Sequence, residues 1–212
     1  MKTRITLTLA ALLLMGSTAS SQLNQYAKLT SCSEENKTTE TTFFAGMSAS
    51  YSQVMSRPAG YLGARGGIVF NDKFSIGLAG YGLWYDYRLT ELAGTTGTYH
   101  LEAGYTGLVL EFVQVLNENT RLNFSLLTGQ GIAIYRYDRA YTSSLDWHEE
   151  IIDEDTFSVM EPGIELMINA GDRWWIGTTL SYCSTSPIQM EGTAQGMIEG
   201  LKAGISFTYL LF

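Results

Sequence analysis

The chain has 212 residues, a formal charge of −8 and an isoelectric point near 4.7, so it offers no basic stripe to neutralise nucleic-acid phosphates. No run beyond the first fifteen residues approaches the roughly 18 apolar residues of a spanning helix, which excludes a helical membrane protein. Two cysteines, Cys32 and Cys183, make neither a disulfide framework nor a metal-ligand spacing, and 22 glycines, 3 prolines and 12% aromatics suit extended strands.

Lys2 and Arg4 precede an apolar run from Ile5 to Met15, followed by small residues. Eleven residues at about 1.5 Å each make roughly 17 Å of helix, too short for a hydrocarbon layer of about 30 Å. Residues 1–21 therefore read as a secretory signal cleaved before Gln22. "LTSC", ending at Cys32, has the form of a lipidation box but stands seven residues or more beyond the apolar run, where such a box should abut it. Residues 22–42 are polar and read as a flexible periplasmic leader.

From Phe43 the sequence falls into period-2 segments. Phe43 to Val54 puts Phe43, Ala45, Met47, Ala49 and Tyr51 on one face, and Tyr61 to Phe70 sets Leu62, Ala64, Ile68 and Phe70 against Arg65 and Gly67. "NDK" turns the chain into a third segment, Phe74 to Tyr87. After the loop "RLTELAGTTG" the fourth runs from Tyr99 to Val113, with an apparent change of phase that a bulge near Thr106 and Gly107 would reconcile. The fifth spans Arg121 to Tyr137, and a long acidic loop, Asp138 to Asp155, leads to the sixth, Phe157 to Asn169, with Glu161 and Glu165 on its polar face. The seventh is Trp174 to Cys183, and the eighth ends the chain with Leu201, Ala203, Ile205, Phe207, Tyr209 and Leu211 in one apolar stripe.

Links after the second, fourth and sixth segments are short, those after the third, fifth and seventh long, and the link after the first intermediate. Aromatics bracket the segments: Phe43, Phe70, Phe74, Phe112, Phe124 and Trp174 at one end, Tyr51, Tyr61, Trp84, Tyr99, Tyr135 and Tyr182 at the other. Ten residues tilted near 40° cover about 25 Å, the height of an outer-membrane apolar band. An unpaired edge in hydrocarbon costs several kcal/mol per backbone group, so the first and last strands must pair. The expectation is an all-β fold, a closed eight-stranded antiparallel up-and-down transmembrane β-barrel over residues 43–212, in the outer membrane with both termini periplasmic.

The signal, the bracketed strands and the aromatic final residue resemble the small Gram-negative outer-membrane proteins of the OmpX-like and OmpA-barrel class. "GLAGYG" (Gly77 to Gly82), "VMEPGIEL" (Val159 to Leu166) and "LLTGQGIAIY" (Leu126 to Tyr135) are similar to small proteins of that architecture. The resemblance implies that lumen charges pair across the interior and plug it. Arg65, Glu102, Glu161, Glu165 and Lys202 are the candidate lumen charges, with Glu111 and Arg121 nearer the periplasmic rim. Eight strands enclose little more than their own side chains.

The acidic loop carries seven carboxylates without the spacing of a calcium loop. Trp147, His148, Glu149 and Glu150 are its candidate surface contacts. His100 and His148 are the two histidines, and neither stands beside a nucleophile pattern, so no catalytic, metal or cofactor residue is assigned. The expected role is a non-enzymatic membrane barrel whose loops serve adhesion, partner contact or envelope integrity. Its expected partners are outer-membrane lipid and lipopolysaccharide, the barrel-insertion machinery and an extracellular protein, but not nucleic acid. The alternatives are a narrow porin-like channel and a secreted lipocalin-like barrel with its apolar face inside.

Overall fold

A computed structural model describes residues 41–85, 88–92, 95–137, 151–190 and 196–211. The expected signal, the leader up to residue 40, Cys32, Trp147, His148, Glu149, Glu150 and Phe212 lie outside these residues.

Alternating small or polar and apolar residues cannot bury both faces as a helix, and the described residues form strands joined antiparallel in sequence. They are β1 (Thr41–Val54), β2 (Arg57–Phe70), β3 (Phe74–Trp84), β4 (Arg88–Leu92), β5 (Thr95–Asn117), β6 (Thr120–Tyr137), β7 (Ile151–Gly171), β8 (Trp174–Thr185) and β9 (Gly200–Leu210). β1 pairs with β9 and β3 with β5, which seals eight of them into a ring. The short β4 lies within the expected third loop and pairs with β5 alone, so that loop is a hairpin.

The row of partners Thr41, Phe70, Phe74, Phe112, Phe124, Ile164, Leu180 and Ala203 returns to β1 at Tyr51, a stagger of ten residues. Such a stagger tilts eight strands by roughly 40° and leaves an interior that side chains just fill.

Chain ends of the ring and the turns β2–β3, β5–β6 and β7–β8 share one rim, and the long connections share the other. The link after β1 is tighter than expected: Met55 and Ser56 alone form it, with φ of 50° and 64°, the double left-handed geometry of a two-residue hairpin turn. β7 begins at Ile151, so Asp153, Glu154 and Asp155 belong to a strand and not to the acidic loop.

Outward positions are apolar and exposed: Met47 at 68%, Leu78 at 64% and Leu201 at 60% stand with Ile164, Ile176 and Ile205 on a greasy outer wall. The lower belt of Phe43, Phe74, Phe112, Phe124 and Trp174 holds as an outward set, with the Trp174 and Tyr209 rings 4.8 Å apart. Its upper counterpart is smaller than expected. Tyr51, Trp84 and Tyr182 face out, but Tyr61 and Tyr135 have the inward parity of their strands and are buried.

The expected bulge in the fourth segment is absent. β5 pairs in unbroken register from Gly104 to Phe112 with β3 and from Tyr99 to Val115 with β6. Leu101, Tyr105, Val109 and Val113 point inward while Leu108, Leu110 and Phe112 point outward, so the strand is apolar on both faces. Inward glycines make room for the larger lumen side chains. A Cβ on Gly63 would sit 2.3 Å from the Tyr81 ring, and one on Gly177 would sit 2.7 Å from a Glu165 carboxylate oxygen.

Candidate functional site in the barrel interior

Inward parity brings charged residues from distant parts of the chain into two stacked layers. In the lower layer Arg65, from the glycine-flanked centre of β2, donates through Nη1 to Glu111 on β5 at 2.8 Å. Its Nη2 reaches both oxygens of Glu165 on β7, at 2.8 and 2.7 Å, and Thr208 Oγ1 on β9 at 3.1 Å. Ser75 donates to the second Glu111 oxygen at 2.6 Å, and Ser206 and Asn123 donate to Glu165. Glu111 and Glu165 are 4% and 3% exposed, so each carboxylate has exchanged its water for this set of donors.

The upper layer is built round Lys202 on β9, itself 2% exposed. Its ammonium donates to Glu161 Oε2 at 3.1 Å and to the Tyr105 hydroxyl, which donates in turn to Glu161 Oε2 at 2.5 Å. Ser181 Oγ supplies the other Glu161 oxygen at 2.6 Å. The same ammonium stands 4.0 Å from the centre of the Tyr61 ring and 4.5 Å from that of Tyr105, faces that favour a cation. Between the layers is a cavity of about 50 Å³, the share of one or two waters, lined by hydroxyls of Ser48, Ser50, Ser181 and Ser206 and by Glu161 and Glu165. Nearer the short-turn rim Arg121 stacks 4.3 Å over Trp175 and approaches Asp72 at 4.0 Å.

Towards the long-loop rim the lumen turns apolar. Leu101, Tyr135, Phe157, Val159 and Cys183 line it, and Ile188, Met190, Met197 and Ile198 from the chain beyond β8 pack into it. That chain is tied down by polar contacts: Gln189 N donates to Asp155 Oδ2 at 2.6 Å, Ser186 N to the Ser158 carbonyl at 2.9 Å, and Thr185 N to Glu199 Oε1 at 3.1 Å. Sequence reasoning did not anticipate this apolar stopper. Its signal was the two-sided apolarity of β5 and the inward Tyr61, Leu127 and Ala133, which the outward stripe obscured.

Arg65, Glu161, Glu165 and Lys202 thus come together in the lumen, with Glu111 joining Arg65. Glu102 does not. Once β5 runs without a bulge its even positions all face out, and Glu102 is exposed on the outer wall beyond Gly104. His100 shares that outward parity, away from the lumen carboxylates and hydroxyls. Among the described residues no three His, Cys, Asp or Glu side chains converge as metal ligands, and Cys183 is a buried free thiol. The lumen layers can hold strands in register across the ring.

No family model and no curated protein matches the sequence. Solved structures do match in fold. The chain is similar to Neisserial surface protein A, at 8% identity and a TM-score of 0.53, over 81% of this chain and 96% of that one. It also aligns with the attachment invasion locus protein Ail of Yersinia pestis, solved with the heparin analogue sucrose octasulfate. That match has 14% identity and a TM-score of 0.46, over 82% of this chain and 99% of that one. The closed eight-stranded barrel is therefore a fold shared with Neisserial surface protein A.

Proposed function

We propose that the chain is an integral outer-membrane barrel without enzymatic activity, both ends periplasmic, that closes its own lumen and offers its long-loop rim to the surroundings. The observation that carries this reading is the inversion of the sheet: exposed Met47, Leu78, Ile164, Leu180 and Ile205 outside, paired Arg65, Glu165, Glu161 and Lys202 inside. In water such a wall would expose an apolar patch far beyond the few hundred Å² that soluble proteins carry, whereas in hydrocarbon every ring strand has its backbone partners and its greasy face a matching solvent. The lipocalin-like alternative needs the opposite polarity.

Conduction is opposed by the stacked ion pairs and by the apolar stopper above them, so the narrow-channel reading is set aside. What remains is a scaffold whose rim and upper wall, including the outward Trp84, His100, Glu102 and Ile132, stand where lipopolysaccharide headgroups and extracellular proteins are met. Adhesion, partner contact and envelope integrity are the roles such a rim serves. The test is extraction and electrophoresis. The reading expects release from membranes by detergent alone and faster migration of unheated than of boiled protein, whereas a monomer soluble without detergent contradicts it.

A further inference from the structure

We infer that a notch in the upper wall, between β1 and β9, is a binding site for a membrane amphiphile whose head carries a primary ammonium. The inference rests on the membrane reading proposed above. Backbone pairing of β1 with β9 ends at Tyr51 opposite Ala203. One step higher a side chain replaces the ladder: the Ser52 hydroxyl donates to the Leu201 carbonyl at 2.8 Å. At Gly200, with φ of 151°, the chain turns off the wall, and Met197 and Ile198 before it fill the apolar stopper. The two chains meet again above, where the Met55 N–H donates to the Met197 carbonyl at 3.3 Å. Between that floor and that bridge lies an open cavity of about 560 Å³, within the range of small-molecule sites.

The cavity is graded along the membrane normal. Its lower end is formed by Tyr51, Leu201 and Ala203, of which Tyr51 and Leu201 are 55% and 60% exposed on the outer wall. Interfacial tyrosines mark the headgroup boundary, so acyl chains reach this end. The upper end carries Gln53, Ser56 and Glu199. Among the described lining residues Glu199 bears the only charge. Its Oε1 accepts from the Thr185 N–H at 3.1 Å and from the Thr185 hydroxyl at 3.5 Å, both neutral donors.

A carboxylate without a counter-charge beside it rejects an anionic head and favours a cationic one. A primary ammonium has three N–H donors and no acceptor. The upper end offers it a carboxylate, an amide oxygen and a hydroxyl, and the bond to the carboxylate is charge-assisted. The occupant therefore lies along the bilayer normal, its alkyl chain over Tyr51, Leu201 and Ala203 and its ammonium at Glu199.

The experiment uses the full barrel in phosphatidylcholine nanodiscs, titrated with dodecylammonium and separately with dodecyl sulfate, compared at equal mole fraction in the bilayer and followed by amide NMR shifts. Dodecylammonium should shift Ser52, Gln53, Gly200, Leu201 and Ala203 saturably and bind about tenfold more tightly than dodecyl sulfate. Glu199→Gln keeps an oxygen for Thr185 but loses the charge, so the two affinities should converge to within about twofold. Ala203→Phe fills the lower end from a lipid-facing position with Glu199 in place, and saturation by either probe should disappear. Equal affinity of the native protein for the two probes, a native preference that persists in Glu199→Gln, or shifts spread evenly over the outer wall would each overturn the assignment. The heat-dependent gel shift of the same samples reports on the membrane reading independently, so either can fail without the other.

Discussion

Replacing Arg65 by Met isolates the lower charge layer. The guanidinium makes three short bonds to two carboxylates, at 2.7 to 2.8 Å, and a fourth to Thr208 at 3.1 Å. Methionine fills the volume but leaves Glu111 and Glu165, each under 5% exposed, without their counter-charge. Breaking a buried pair from one side costs about 3–5 kcal/mol, most of it the penalty of the stranded charge. At roughly 2 kcal/mol per M of urea, that moves the unfolding midpoint down by about 1.5–2.5 M in vesicles, followed by tryptophan emission and the heat-dependent gel shift. Arg65→Lys keeps the charge and loses the fork, so it should fall between the two. Combining Arg65→Met with Glu111→Gln and Glu165→Gln removes the stranded charges and should recover more than half of the loss. An Arg65→Met protein within about 0.5 kcal/mol of wild type would refute the idea that this guanidinium balances the layer.

Leu78→Arg, between the Phe74 and Trp84 belts on β3, should cost about 2–4 kcal/mol of stability in bilayers, where an exposed surface site in water would change by about 0.5 kcal/mol or less. Gly63→Ala drives a methyl into the Tyr81 ring and should destabilise by about 1–3 kcal/mol, while Gly82→Ala, with nothing within 4 Å of the new carbon, should be neutral or stabilising by urea titration. Lys202→Met strands Glu161 against Tyr105 and Ser181 and should lower stability by about 3 kcal/mol or more. Purified protein in planar bilayers should show no sustained conductance, and stable unitary steps would contradict a filled lumen.

The ring was legible in the sequence because a period of two leaves each strand a single choice of phase once one face is greasy. Arg65, Glu161, Glu165 and Lys202 fell inside by that rule alone. The rule failed where both faces are apolar. At Leu101 and Tyr105 the inward side chains join the apolar stopper, which imitates a phase change and invites a bulge that the continuous register excludes. Glu102 was misplaced for the same reason. Tyr61 and Tyr135 stand at belt height along their strands, but their parity turns them inward, where the Tyr61 ring faces the Lys202 cation. The partners of Arg65 were beyond reach of sequence because they follow from which strands face each other across the lumen, a matter of stagger and closure.

The central claim is that hydrocarbon touches the outer wall, and a nitroxide scan along β1 in vesicles tests it most directly. Labels at Ala45, Met47 and Ala49 should collide with dissolved oxygen and be shielded from a water-soluble nickel chelate, while labels at Ser48 and Ser50 should meet neither freely. A chelate that reaches the Ala45, Met47 and Ala49 labels as readily as it reaches a site in open water would contradict it.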